Sequence, residues 1–274
     1  MKKGAVLGWT VFMLVFIGYL ATAEDLVAHR AIVITNDYEF TVENGVCSGG
    51  GTVEDPYVIE NWMIDAGFDE YGIRIHGTMR SFVIRNVEIS GAAKSAVYLS
   101  YVQNATLEDC EFESNWVGVT LNFSSFNRIK DCVFTSNTDG IHTYFSHTNQ
   151  ILSSSFDRND TGIWLDASNE NRISSNLIGD SHVGVYLNLA SQANTILSNA
   201  FINNQYNAYS DGPNVWDDGV QGNYWGGFSA VDADQNGIWD LPYLISSDGD
   251  QDGFPMISHS LVPEPPVATC APSP

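Results

Sequence analysis

The chain is short of positive charge. Eleven Lys and Arg stand against 33 Asp and Glu, which gives −22 over 274 residues. Phosphate binding needs a basic face, so nucleic acid is excluded as a partner. Cysteine is scarce too. Cys47, Cys110, Cys132 and Cys270 are too few and too scattered for a disulfide framework. No CxxC or MxxM occurs, and the six His and five Met are dispersed, which argues against a copper site. After Leu20 there is no second long apolar run, so the remainder of the chain is expected not to span a membrane. Helical periodicity is missing from the body of the chain, which excludes helix bundles and βαβ units.

The two ends read differently from the body. Lys2 and Lys3 precede an apolar run from Ala5 to Leu20, followed by Ala21-Thr22-Ala23. This order is that of a secretory signal over residues 1–23, with an uncleaved anchor as the alternative. Cleavage would remove two Lys and no acids, taking −22 to −24. Residues 261–274 are Pro-rich and read as a disordered tail.

Between the ends one phrase recurs: GIRI at 72, AVYL at 96, GVTL at 118, GIHT at 140, GIWL at 162, GVYL at 184. A second phrase follows each, from VIRNVEI at Val83 to TILSNAF at Thr195. Further copies start at Val58 and Gly219, which makes about eight. Apolar residues alternate at period two within each phrase, so the phrases are strands. A unit of 22 residues has no room for a crossover helix and cannot bury its own face, so the units must stack. Leucine-rich repeats share the length but not the Leu spacing. The expected fold is all-β: a right-handed, single-stranded parallel β-helix over 57–226. A cap would precede it over 24–56, and an acidic cap would follow over 227–260.

The expected inward stacks are Ile59, Ile84, Leu107, Ile129, Ile151, Ile173, Ile196 and Val220, and Ile64, Ile89, Phe112, Phe134, Phe156, Ile178, Phe201 and Trp225. Between them run Trp62, Val87, Cys110, Cys132, Ser154, Asn176, Asn199 and Asn223, whose last three members can bond as an amide ladder. Cys110 and Cys132 would sit on adjacent rungs, about 4.8 Å apart, as thiols or as a disulfide. Asn115, Asn137, Asn159 and Asn204 recur where a turn is expected, as residues tolerant of φ > 0.

The alternate positions point outward. One column is Arg74, Tyr98, Thr120, His142, Trp164 and Tyr186; the next is His76, Ser100, Asn122, Tyr144, Asp166 and Asn188. Sugar rings stack on aromatic faces and bond through their hydroxyls. Arg74, Tyr98, His142, Tyr144, Trp164, Asp166 and Tyr186 are therefore the candidate carbohydrate-binding residues. Hydrolysis of a glycoside needs two carboxylates across the bond. Asp139, Asp160 and Asp166 are the acids near this face, and no two share a rung position. Asp166, His142 and His76 are the candidates if the face is catalytic.

Asp232-Ala-Asp234-Gln-Asn236-Gly237-Ile-Trp-Asp240 follows the first part of an EF-hand loop, without the closing Glu. Asp248, Asp250 and Asp252 repeat half of it. These seven residues are the candidate calcium ligands, the other reading being metal-free Asx turns.

The repeats resemble the NosD-like right-handed β-helix proteins. So do Asn44-Gly-Val46, Gly51-Thr52, Asp55-Pro-Tyr-Val-Ile-Glu60, Gly222-Asn-Tyr-Trp-Gly226 and Asp234 through Tyr243. The resemblance covers roughly residues 30–257. It implies a β-helix of the carbohydrate-binding and sugar-hydrolase type. NosD itself implies a copper-maturation role. Uronan epimerases among the relatives carry a Tyr-Gly-x-Asp-Pro-His-type site, which Tyr71 to His76 resembles with Arg74 in place of the acid. The expected function is an exported or cell-surface, non-catalytic scaffold that binds polysaccharide or surface glycan. The alternatives are a polysaccharide lyase, hydrolase or epimerase, a structural envelope component, and the copper role.

Overall fold

The computed structural model describes residues 26–245 and 249–259. The expected signal segment, the Pro-rich tail, Asp248 and Cys270 lie outside the described residues.

Short parallel strands wind into a coil with three faces. The first face carries Ala105–Glu108, Arg128–Lys130, Gln150–Leu152, Arg172–Ser174 and Thr195–Leu197. The second carries Glu111–Glu113, Val133–Thr135, Ser155–Asp157, Leu177–Gly179, Ala200–Ile202 and Tyr224–Trp225. In the earlier coils Tyr57–Asp65 and Phe82–Ser90 run unbroken across both. The third face is an eight-stranded parallel sheet, from Ile32–Ile34 through Tyr71–Thr78, Ser95–Val102, Val117–Asn122, Asp139–Tyr144, Thr161–Asp166 and Val183–Asn188 to Tyr206–Ser210. This is the right-handed parallel β-helix the period implied, with the handedness usual for strand–crossover–strand connections.

The corners explain how so few residues close a coil. Each turn bends at residues with φ > 0, and most are not glycine. Asp109, Asp131, Ser153, Ser175 and Ser198 mark one corner; Ser114, Ser136, Arg158, Asp180 and Asn203 mark the next. Two more corners carry Tyr101, Phe123, Phe145, Ala167 and Leu189, and Asn104, Phe126, Thr148, Glu170 and Ala193. A left-handed L residue costs about 1 kcal/mol. Inward polar ladders one residue further on hold that geometry. Asn176 N–H donates to Asn199 Oδ1 at 3.0 Å, and Asn199 N–H to Asn223 Oδ1 at 3.0 Å. A second Asn ladder links Asn127, Asn149, Asn171, Asn194 and Asn214. A serine ladder links Ser124, Ser146, Ser168 and Ser191.

Four expectations are corrected here. Asn115, Asn137, Asn159 and Asn204 do not take φ > 0. They are ladder members, the first three buried, and the residue before each makes the bend. Val220 is 74% exposed, and Trp216, buried, closes the first stack in its place. Residues 211–222 are not a regular rung, so the 22-residue count slips there. Val27–Ala28 and Ile32–Ile34 already pair in parallel with coil strands, so coil pairing begins inside the segment expected as a cap. Only Val46–Ser48 within it is antiparallel, against Tyr57–Asp65. Finally, Asp250 and Asp252 end the two Asn ladders. Asp252 Oδ2 accepts from Asn223 N–H at 2.7 Å, and Asp250 Oδ1 accepts from Asn214 N–H at 3.3 Å. The last amide of each ladder needs an acceptor that brings no donor of its own, which a carboxylate is.

The remaining inward columns are as the alternation implied. The phenyl and indole stack is fully buried, with Phe134 on Phe156 at 4.6 Å and Phe201 on Trp225 at 4.4 Å. Cys110 and Cys132 are buried free thiols. The Cys110 thiol is pushed well above its usual range by burial, with Cys132 beside it adding to the effect.

Candidate functional site

The third face sets both outward columns in register. Arg74, Tyr98, Thr120, His142, Trp164 and Tyr186 neighbour one another rung by rung. The column continues to Tyr209, which is 45% exposed. The second column runs His76, Ser100, Asn122, Tyr144, Asp166 and Asn188. Rings line the first column closely. His142 stacks on Trp164 at 4.7 Å and 12°, Trp164 meets Tyr186 edge-on at 5.3 Å, and Tyr186 stacks on Tyr209 at 4.8 Å. At the other end Tyr71 lies 4.9 Å from Tyr98, and the Arg74 guanidinium sits 5.7 Å from the Tyr71 ring centre. Arg74 Nε is buried without a hydrogen-bond partner.

The polar residues are fixed across the rungs. Asn122 donates to the Tyr98 hydroxyl at 3.0 Å and to Ser100 at 3.2 Å. Asp166 Oδ1 accepts from the Trp164 indole N–H at 2.8 Å and from Asn188 at 3.2 Å. Ser100 and Asp166 are therefore buried rather than presented to solvent, at 3% and 8% exposure.

A cluster that the sequence did not reveal lies at the centre. His142 Nε2 is 3.4 Å from Asp166 Oδ2, and His142 Nδ1 is 3.8 Å from Asp139 Oδ2. Equivalent rung positions do not reveal it. The stacking instead joins residues 142 and 166, a full coil plus two residues apart. Burial pushes the Asp139 carboxyl up to about 6, against a Thr161 hydrogen bond and with help from Asp160 and Asp166. Burial also holds the His142 imidazole below its usual range, while Asp166 opposes that. A carboxyl near 6 can exchange protons at neutral pH. Yet both imidazole nitrogens face carboxylates, so neither points out toward a ligand. His76 stands apart, edge-on to Tyr101 at 5.7 Å.

Metal donors divide cleanly. Oxygens of Asp232, Asp234 and Asp240 lie within 4.8 Å of one another, the one such group of three His, Cys, Asp or Glu among the described residues. Asn236 is part of the same turn but donates its amide to Asp234 at 3.0 Å. Asp250 and Asp252 are occupied by the ladders, Trp216 and Trp225, so they are not free ligands. The described histidines are spread over the molecule: His29 on Trp62, His147 bonded to Asn169, His182 to Gln205, His259 against Tyr224.

No helix among the described residues is long and apolar enough to cross a membrane. No curated protein matches the sequence. The chain is similar to a solved structure described as pectate lyase Pel9A, at 14% identity and a TM-score of 0.58, over 76% of this chain. It spans 61% of that protein's length, and the likeness shows the fold. A Geobacillus virus E2 protein, ORF18, aligns at 10% identity and a TM-score of 0.39, over 62% of this chain and 43% of its own. The model of the family described as "Periplasmic copper-binding protein (NosD)" matches residues 29–230, which is most of the coil, and the chain belongs to the NosD family.

Proposed function

We propose that this chain is an extracytoplasmic β-helix that binds carbohydrate, without cleaving it, along the third face. The carrying observation is the run of half-buried rings His142, Trp164, Tyr186 and Tyr209 beside fixed hydrogen-bonding groups. Rings held this way stack on sugars at little entropic cost, since their rotamers are already restricted. The engagement of both His142 nitrogens by Asp139 and Asp166 favours binding over catalysis. The family's description as periplasmic and the charged, apolar, small-residue order of residues 1–23 support a location outside the cytoplasm.

Copper does not fit the residues present. Copper prefers His, Cys and Met together, and the converging donors among the described residues are three carboxylates. Three oxygen donors on one turn are the type calcium takes. The calcium expectation therefore rests on Asp232, Asp234 and Asp240 alone.

The second reading is a polysaccharide-active enzyme, favoured by the Asp139 carboxyl near 6 and by the likeness to a lyase fold. One experiment separates the two. The protein is incubated with neutral and acidic polysaccharides, and bound material and chain length are recorded together. Binding without shortening, lost at least tenfold in W164A and Y186A, is the expected result. Shortened or unsaturated chains would establish the enzyme instead, and W164A binding like the wild type would remove the third face from the account.

A further inference from the structure

A second set of rings stands at the corner that closes each third-face strand. Tyr101, Phe123, Phe145, Ala167 and Leu189 follow one another by rung, with φ of 53°, 47°, 44°, 46° and 51°. Their backbones form one ladder: Phe123 N–H donates to the Tyr144 carbonyl, Phe145 N–H to that of Asp166, and Ala167 N–H to that of Asn188. Bulky L residues are disfavoured at positive φ, where Asn, Asp and Gly are the common choices. The corners opening and closing the second face follow that preference with Asp, Ser and Asn at every rung but that of Arg158. Three successive aromatics at this corner depart from it. Core burial is no reason for them, because Tyr101, Phe123 and Phe145 stay 54%, 43% and 40% exposed.

The rings form a column. Tyr101 stacks on Phe123 at 5.1 Å and 2°, and Phe123 on Phe145 at 5.2 Å and 9°. At the next rung the column stops at the methyl of Ala167, and Leu189, 54% exposed, resumes it. Rungs are about 4.8 Å apart, so Phe145 and Leu189 are about 9.6 Å apart along the coil. That distance leaves the thickness of one ring between them. Phe123 covers one face of Phe145, and the other face is turned toward the step at Ala167. Polar groups flank the step. Tyr144 is 39% exposed with its ring edge-on to Phe145 at 4.6 Å, and Asn188 lies half-buried with its amide on Asp166.

We propose that the step over Ala167 is a subsite for one uncharged pyranose ring of a bound glycan, stacked on Phe145 and completing the column. A pyranose has an apolar C–H face for the ring and hydroxyls at its rim for Tyr144 and Asn188. A purely aromatic ligand would leave those polar groups unused. Asp166 is covered by Trp164 and Asn188, and the exposed Asp211, which accepts from the Ala190 N–H at 3.1 Å, would repel an anionic unit, so an uncharged ring suits the step. The inference rests on the carbohydrate reading above and adds where one sugar unit sits.

Filling the step tests it. A167F places a ring at a corner that accepts a ring at the three preceding rungs, and A167G leaves the step open. The probe is whichever polysaccharide the wild-type full-length protein captures, titrated by calorimetry, with Tm recorded for each variant. A167F is expected to keep its Tm and lose at least tenfold in affinity, while A167G binds as the wild type does. F145A is expected to lose affinity as well. A167F binding like the wild type, with W164A impaired, overturns the subsite and leaves the third-face reading standing. A wild-type protein that captures no polysaccharide overturns both. If A167F fails to fold, A167L, carrying the residue found at this corner one rung later, decides between the same outcomes.

Discussion

Asp139 offers the sharpest quantitative test of the site. Its side chain is nearly fully buried, at 5% exposure, and burial raises its carboxyl from 3.8 to about 6. Between those values the folded protein holds a proton that the unfolded chain has released. Stability from this group is therefore complete below 3.8 and lost as pH rises through about 6. At about 1.4 kcal/mol per pH unit, the loss comes to about 3 kcal/mol. D139N keeps the shape and an acceptor for Thr161 but cannot ionise. Urea unfolding of both proteins at pH 4, 5, 6 and 7.5 isolates the effect, because titrating groups remote from Asp139 cancel in the difference. D139N is expected to gain on the wild type by about 2.4 kcal/mol from the lowest pH to the highest, since part of the full loss has already occurred at pH 4. A difference independent of pH would refute the reasoning and mean that Asp139 titrates as an ordinary exposed acid.

Three further outcomes are expected. D252A strands the N–H groups of Asn223, Trp225 and Phe254, so it should cost about 3 kcal/mol or more in denaturant unfolding, whereas D252N, which keeps an acceptor, should cost less. Millimolar calcium should raise Tm and D234N should abolish the rise; an unchanged Tm would leave Asp232, Asp234 and Asp240 as a metal-free turn. Binding of the captured glycan should change little between low and high salt, and a steep fall with salt would show instead that the glycan is anionic and pairs with Arg74.

The period made most of the coil legible, and its lapses show what a period hides. Alternation separated inward from outward residues correctly wherever the 22-residue step held. It placed Val220 in the core only because residues 211–222 break the step, so that Trp216 takes the position. The Asn columns misled by a single residue. Asn suits both a left-handed bend and an inward ladder, and composition alone cannot distinguish the two uses. The ladder bonds do, since only a side chain aimed inward can accept from the rung before it. The His142 cluster was hidden for another reason. A side chain reaches diagonally to the next rung, so the partners are separated by 24 residues and by three, and neither spacing is the repeat. The corner rings did recur at the repeat length, but at or just beyond the strand ends, where turn residues were expected.

The three faces manage charge differently, and this bears on what the third one meets. On the first face Glu60, Arg85, Glu108 and Lys130 follow one another in register with alternating sign, and Arg85–Glu60 and Lys130–Glu108 close at 2.6 and 2.9 Å. On the second face Glu88 lies directly beside Glu111, an unfavourable pairing. Burial raises the Glu111 carboxyl, and Glu88 and Glu113 raise it further. The two outward columns of the third face contain one acid, Asp166, which its neighbours cover. Among the described residues the excess of acids therefore lies mostly on the other surfaces and the cap. A polyanion approaching this molecule meets repulsion from most directions, with Arg74 as the cation of the strip. An uncharged chain meets no such cost, and along the third face it finds rings at the spacing of the rungs. On the carbohydrate reading proposed above, the field of the protein and the chemistry of that face would favour the same kind of partner.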